Sequence, residues 1–587
     1  MFLDGLNEEL EKIKGLAAVR TRERRLKEFQ EKLASLQFLD PAAGSGNFLT
    51  ETYLCLRRLE NQVLELLMKG QIAMAFDTVS PIKVGISQFH GMEINDFAVT
   101  VAKTASWIAE NQMMRETENI VLMDLDFLPL KTSANIVEGN ALRLDWNDVV
   151  GKEKLDYIMG TPPFVGYSLQ SRSQKSDILP LYVDENNKTY NTAGKIYYVA
   201  GWYWKASEMI QGTAIRTALV STNSITQGEQ VAGVWKPLYD RFGIHIDFAH
   251  RTFVWGSEAS AKAHVHCVIV GFSVVKNEKK KMLYSGGKES HVENINPYLV
   301  DGPNVFIDSR KTPLCDVPEM VYGNKPADGG FLFLDSKERM EVINREPEIA
   351  QYIRKIYGAT EFINNKDRYC LWLVGVSPAI IRQSRFISDR IEKVKQFRLK
   401  STKDATRKSA ETPFLFQEIR HPNEEYIVVP RHSSENRKYI PFGFVKHDII
   451  ASDAVQIIPK ATLYHYGVLV SYVHMAWVRA VCGRMKSVYR YSKDIVYNNF
   501  PWPNPTDEQK QKIEQTAQAI LDARDLYPDA SFADLYDDAT MPLELRAEHQ
   551  KNDRAVMEAY GFPVKGFSES DYVAELMKMY QGLVSQT

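Results

Sequence analysis

Cysteine is scarce in this chain. The 587 residues hold five, Cys55, Cys267, Cys315, Cys370 and Cys482, with no Cys-x-x-Cys pair among them. That argues against a zinc site or a disulfide framework and fits a reducing cytosol. His264, His266 and Cys267 lie close together, but no further ligand is spaced to join them, so no metal is expected. Long apolar runs are also missing: none approaches about 18 residues, so no transmembrane helix and no membrane partner are expected. The first thirteen residues are punctuated by acids and lack the basic-then-apolar order of a secretory signal. Tandem repeats and low-complexity tracts are absent as well.

Net charge is nearly absent too, at −2, which by itself does not suggest nucleic acid. The charge is unevenly spread, however. Residues 381–408 hold ten bases against three acids, and residues 522–554 hold nine acids against four bases. The basic run could face phosphates or could be a solvated helix face.

The length is too great for one core, so two to four domains are expected. Residues 1–36 carry apolar positions at helical spacing and form an N-terminal helical segment. From 37 the pattern becomes short apolar runs alternating with helical stretches. Strands are expected at 37–39, 84–93, 136–138, 155–159, 214–221 and 264–272, with helices at 49–68 and 97–110. This is an α/β pattern that predicts a mostly parallel sheet covered by helices, spanning 37–335. A mixed α+β region follows at 336–505, with short strands at 426–429, 440–445 and 454–458 and an apolar helix at 468–481. A helical carboxyl-terminal region completes the chain at 506–587.

Two motifs sit after strands, where such sheets bind ligands. The first is Asp40-Pro-Ala-Ala-Gly-Ser-Gly-Asn-Phe48, a glycine turn that lets backbone approach a ligand and opens a helix. The second is Gly160-Thr-Pro-Pro-Phe164. Together they resemble motifs I and IV of the adenine-N6, S-adenosylmethionine (SAM)-dependent DNA methyltransferases. Gly91-Met-Glu-Ile94 and Val137-Glu-Gly-Asn-Ala141 match motifs II and III. The order is that of the gamma-type enzymes and of the methylase part of single-chain type II restriction–modification proteins. The resemblance implies a Rossmann-like SAM-dependent methyltransferase domain at 37–335, followed by a target-recognition domain. Its cofactor residues would be Asp40, Ala42, Gly44, Gly46, Asn47, Glu93, Ile94, Asn140 and Ala141. Within these, Asp40 sits near the methionine ammonium, Glu93 accepts from the ribose hydroxyls, and Asn140 accepts from the adenine amino group.

The catalytic set implied is Thr161, Pro162, Pro163 and Phe164. Pro162 offers its carbonyl to the target amino group, and Phe164 stacks on the flipped base. The family places Asn or Asp where this chain has Thr161, whose hydroxyl is shorter and β-branched. Turnover is therefore expected to be reduced. Phe253 and Trp255 are candidates for the flipped-base pocket, with core packing as the alternative. Double-stranded DNA is the implied partner. Arg382, Arg385, Arg390, Lys393, Lys395 and Arg398 are its candidate contacts in the basic run, with Arg484, Lys486 and Arg490 in a second cluster interleaved with aromatics. The close, Tyr497-Asn-Asn-Phe-Pro-Trp-Pro503, resembles the end of a recognition domain.

Asp40 is preceded by 39 residues. Single-chain enzymes carry a nuclease and connector there, so a chain truncated relative to them and lacking its own nuclease is expected. A separate restriction nuclease or defence-system subunits are further candidate partners. Two other readings stay open: a catalytically inactive SAM- and DNA-binding module, and a protein-glutamine methyltransferase.

Overall fold

The computed structural model describes residues 2–68, 81–122, 125, 134–256, 265–275, 280–485 and 487–586. They fold as two compact units, one of residues 1–306 without 227–229 and one of the remainder. Among the described residues no helix is long and apolar enough to cross a membrane.

The first unit begins with α1 (Leu3–Lys14) and α2 (Val19–Ser35), followed by β1 (Phe38–Asp40), α3 (Asn47–Met68), β2 (Phe89–Glu93), α4 (Asp96–Val121) and β3 (Asn135–Glu138). Next come β4 (Tyr157–Gly160), α5 (Arg172–Ile178), α6 (Ala200–Met209), β5 (Arg216–Thr222) and α7 (Lys236–Phe242). The unit closes with β6 (His245–Trp255), β7 (Val265–Ser273), β8 (Lys281–Ser285) and β9 (Lys288–Val292). All nine strands form one sheet in the order β3-β2-β1-β4-β5-β7-β6-β8-β9. The first five run parallel, and β7 runs antiparallel to both β5 and β6. The sheet is thus mostly parallel as expected, five of its eight pairings being parallel, with β7 and β9 antiparallel to their neighbours. The connections reverse direction between β1 and β4, the place where open α/β sheets present a crevice beyond their carboxyl ends.

The helices at 1–36 belong to this unit's core. Leu6, Leu10, Leu26, Phe29 and Leu33 are buried with Phe38 and Phe89, and the Phe2 ring lies 5.2 Å from Phe38 and 5.1 Å from Tyr157. Beneath them Arg57 and Glu60, one turn apart on α3, form a fully buried ion pair. Glu60 also accepts from Gln30 Nε2 (2.7 Å) and from the Lys83 N–H (2.7 Å), and Arg57 Nη2 donates to Thr117 Oγ1 (2.7 Å). The segment expected as one strand at 84–93 is strand only from Phe89. The Gln88 amide donates to the Leu33 and Leu36 carbonyls (2.9 and 2.8 Å), which holds Ile86–Gln88 as a tight turn against the end of α2.

The second unit is built from small sheets. One has four antiparallel strands in the order Val321–Tyr322, Val455–Pro459, Tyr426–Pro430, Gly443–Val445. Of the strand expected at 440–445 only the last three residues pair. The helix expected at 468–481 is two helices, Leu463–Leu469 and Tyr472–Val481, separated where the Ser471 side chain caps the second. Helices Asp507–Asp525, Leu543–Tyr560 and Glu569–Val584 complete the unit. Buried polar groups tie them to the rest of the unit: Arg524 donates to the Phe442 carbonyl (2.6 Å), and Asp553 accepts from Tyr439 Oη (2.6 Å) and the Tyr472 N–H (2.7 Å).

Candidate active site

The glycine turn after β1 is held from three directions. The Ala42 N–H donates back to Asp40 Oδ1 (2.9 Å), the Ala43 N–H donates to the Met92 carbonyl (3.0 Å), and the Gly46 N–H closes the turn on the Ala43 carbonyl (2.7 Å). Gly44 and Gly46 adopt φ of +53° and +81°, the left-handed region that glycine enters freely. A Cβ on Gly46 would in addition stand 3.0 Å from Ala102 Cβ, so α4 leaves no room there. Asn47 then starts α3 with its amino terminus at the turn.

Glu93, at the end of β2, reaches across to this turn. One carboxylate oxygen accepts from the Gly44 N–H (2.9 Å) and the other from the Asn95 N–H (3.0 Å). Ile94 and Phe97 beside it are exposed. Asp40 is buried, and burial pushes its carboxyl up to about 7; the Ala42 N–H opposes this and the charge of Glu93 adds to it. A buried carboxyl in that range, at the end of a strand beside the glycine turn, marks a functional-site candidate.

Asn140 follows β3. Its Oδ1 accepts from the Leu142 N–H (3.0 Å), and its Nδ2 donates to Asp177 Oδ2 (3.0 Å). Asp177 also accepts from Arg143 Nε (2.7 Å) and from Tyr198 Oη (2.8 Å). Ala141 is buried, and its carbonyl accepts from Trp146 Nε1 (2.8 Å). Asp177, Arg143 and Tyr198 are additions to the expected site. Asp177 lies in a short polar helix far along the chain from Asn140, so spacing gives no sign of the contact.

Thr161 continues directly from β4. Pro162 is buried, Pro163 exposed and Phe164 half-buried. Thr161 Oγ1 is buried and has no hydrogen-bond partner among the described residues. Phe253 and Trp255 stand on β6, two residues apart, with ring centroids 6.1 Å from each other. Phe253 is half-buried and Trp255 is 41% exposed; neither ring pairs with Phe164 among the described residues. His264 lies outside the described residues, and no group of metal-ligating side chains occurs among those described.

Residues 16–285 match the model of the MmeI DNA-methyltransferase domain, 301–504 that of the MmeI target recognition domain, and 505–587 that of the MmeI C-terminal domain. The structure also superimposes on the type IIL restriction–modification enzyme MmeI, solved in complex with DNA. The TM-score is 0.89 at 43% identity, covering 100% of this chain and 77% of that one. The chain belongs to the MmeI family. It is 39% identical over 568 residues to DNA methyltransferase A of Bacillus subtilis (strain 168), covering 96% of this chain and 63% of that relative.

Within the stretch that matches the MmeI target recognition domain, the basic residues divide by environment. Arg382, Arg385, Lys393 and Lys395 are exposed. Arg390 is committed inside the unit: it donates to the Phe331 and Phe333 carbonyls (2.8 and 3.1 Å) and pairs with Glu338. Arg398 is a correction to the expected DNA contacts. It is fully buried, and its guanidinium donates to the carbonyls of Pro326, Ala327, Ser409, Thr412 and Leu415 at 2.7 to 3.1 Å. A helix-borne arginine that gathers five loop carbonyls holds the fold and has no donor left for a phosphate. Arg484 pairs with Glu435 (3.0 Å) and lies over the Tyr489 ring, while Arg490 is exposed; Lys486 lies outside the described residues.

Proposed function

We propose that this chain transfers a methyl group from S-adenosylmethionine to N6 of adenine in duplex DNA, within restriction–modification or phage defence. One observation carries the reading. Asp40, Glu93, Asn140 and the Gly160–Phe164 segment all stand at or just beyond the carboxyl ends of β1 to β4, adjacent strands at the point where the sheet order reverses.

The side chains present fit SAM. Glu93 is a half-buried carboxylate able to accept from ribose hydroxyls, and Asp40 is a buried acid without a cationic partner among the described residues, suited to an ammonium. Gly44, with open space where a Cβ would stand, leaves backbone open to the methionine part, Gly46 lets the turn pack on α4, and Asn140 offers an amide oxygen to the adenine amino group. When bound, SAM supplies an electrophilic methyl group. The chain's own contribution is to hold the target amine. The Pro162 carbonyl and the Thr161 hydroxyl accept from the amino group, orient its lone pair and take the charge that develops. Phe164 stacks on the base once it leaves the duplex. Arg382, Arg385, Lys393, Lys395 and Arg490 face phosphates and position the DNA.

A second reading, a SAM- and DNA-binding module without turnover, is favoured by Thr161 alone. A protein-glutamine substrate has no use for the 301–504 stretch that matches a target recognition domain. The test is incubation of the purified chain with tritiated SAM and mixed-sequence duplex DNA, followed by nucleoside analysis. Label in N6-methyladenine is expected. Label in a methylated cytosine, or no label with either the wild type or Thr161→Asn, overturns the reading.

A further inference from the structure

We infer that Asp177 is a positioning residue for cofactor recognition: it fixes which end of the Asn140 amide faces the purine. This rests on the proposed reading of Asn140 as the group that accepts from the cofactor's adenine amine. An asparagine amide has a donor end and an acceptor end of nearly the same shape, and a free one can turn over. Here both neighbours allow one orientation only. A carboxylate is acceptor-only, so Asp177 Oδ2 has to meet the NH2 group, at 3.0 Å. The Leu142 N–H is donor-only, so it has to meet Oδ1, also at 3.0 Å. The second lone pair of Oδ1 is then the acceptor left for an exocyclic amine. A turned amide would present NH2 there and would suit a 6-oxo purine instead.

Asp177 is built for this task. Its side chain is only 2% exposed, and Arg143 and Tyr198 donate to it at 2.7 and 2.8 Å, which balances its charge and holds it in place. The support continues to the glycine turn. The Tyr198 ring meets Trp202 edge-on at 5.2 Å, and Trp202 Nε1 donates to the Pro41 carbonyl at 2.8 Å. Gly201 lets α6 approach Leu142 so closely that a Cβ would stand 2.8 Å from it. The residues from Asp177 to Trp202 therefore brace the loops after both β1 and β3.

The experiment compares the affinity of the full chain for S-adenosylhomocysteine and for its 6-oxo counterpart, S-inosylhomocysteine, by calorimetry. The wild type is expected to prefer the 6-amino ligand by on the order of tenfold or more, since a site built to accept from an amine leaves that acceptor facing another acceptor in the 6-oxo ligand. Asp177→Leu keeps the branching of the side chain, removes the acceptor and should lower the preference to within about threefold. Asp177→Asn conserves shape but can offer Asn140 either end of its own amide, so an intermediate preference is expected even if the leucine variant fails to fold. Asn140→Ala should abolish the preference. Full preference retained in both folded Asp177 variants, or in the asparagine variant alone where leucine does not fold, overturns the role of Asp177 while leaving that of Asn140 standing. Preference retained in Asn140→Ala overturns the reading of Asn140 itself.

Discussion

The Asp40 carboxylate occupies the space into which a side chain on Gly160 would project: a Cβ built on Gly160 collides with Asp40 Oδ1. The glycine that opens the Gly-Thr-Pro-Pro segment is therefore required by the acid that closes β1, two strands that pair in parallel. Gly160→Ala must displace either the acid or the end of β4. Overpacking of this kind costs about 1–3 kcal/mol. Thermal melting should show a lowered midpoint, and calorimetry a loss of SAM affinity of about tenfold or more. An alanine variant with wild-type affinity would show that the two motifs are not sterically coupled.

Asp40 also predicts a pH dependence. Its carboxyl titrates near 7 in the folded chain against 3.8 for an ordinary aspartate, chiefly because it is buried. Between those values the folded state holds a proton that the unfolded chain has released. Through this group alone, stability declines as pH rises from about 4 to 7 and is level above. Ligand binding runs the other way, because an ammonium prefers the ionised acid. SAM affinity should rise as pH climbs through 7 and flatten above it. Calorimetry from pH 6 to 8.5 measures this, and Asp40→Asn should both weaken binding and flatten the profile. A flat profile in the wild type would remove Asp40 from the ammonium site.

The two glycines of the turn should differ in cost. Gly44 has φ of +53° with open space around its missing Cβ, so Gly44→Ala meets only backbone strain, about 1–2 kcal/mol. Gly46 combines φ of +81° with α4 packed against it, so Gly46→Val should abolish SAM binding in calorimetry and lower the melting point further. Equal affinity in the valine variant and the wild type would sink the assignment of this turn to the cofactor.

What is legible in the sequence is local. Strands β1, β3 and β4 announce themselves through apolar residues followed by Gly or Pro, and β5 through its apolar run alone. The antiparallel side of the sheet is less so: β6 carries His245, Asp247, His250 and Arg251, and β9 reads Lys-Glu-Ser-His-Val, polar sequences that become strands only through their neighbours. The same limit applies to side chains. Arg398 looks like any other base in a run of ten, and only the carbonyls converging from residues distant in sequence make it a fold element. Asp177 is hidden for the same reason, since nothing local connects an acid in a Ser-capped helix with the loop after β3.

The basic run therefore separates into two experiments. Arg398→Met strands five carbonyls and should destabilise the chain by about 3 kcal/mol or more, read as a lowered denaturant midpoint. Arg385→Gln, Lys393→Gln and Lys395→Gln together should leave stability nearly unchanged. They should instead weaken DNA binding and flatten the plot of log affinity against log salt by up to about one unit for each phosphate no longer neutralised. An unchanged salt slope would mark these side chains as a solvated helix face.

Thr161 sets the final prediction. Its hydroxyl is buried and makes no hydrogen bond among the described residues, so replacing it forfeits no partner within the fold. Asparagine is longer and carries an oxygen that can reach further from the β4 end toward a base held by Pro162 and Phe164. Thr161→Asn should raise methyl transfer to duplex DNA by roughly 10²-fold, the worth of one well-placed acceptor in a developing-charge site. SAM affinity should change little, because Asp40, Glu93 and Asn140 are untouched. The melting point should move by only a few degrees, since the substitution adds bulk at a half-buried position but breaks no hydrogen bond. The measurement is tritiated methyl transfer with both proteins at saturating SAM. If the wild type already runs at the asparagine variant's rate, the Thr161 hydroxyl is itself the working acceptor, and the target amine is the partner that it does not find within the fold.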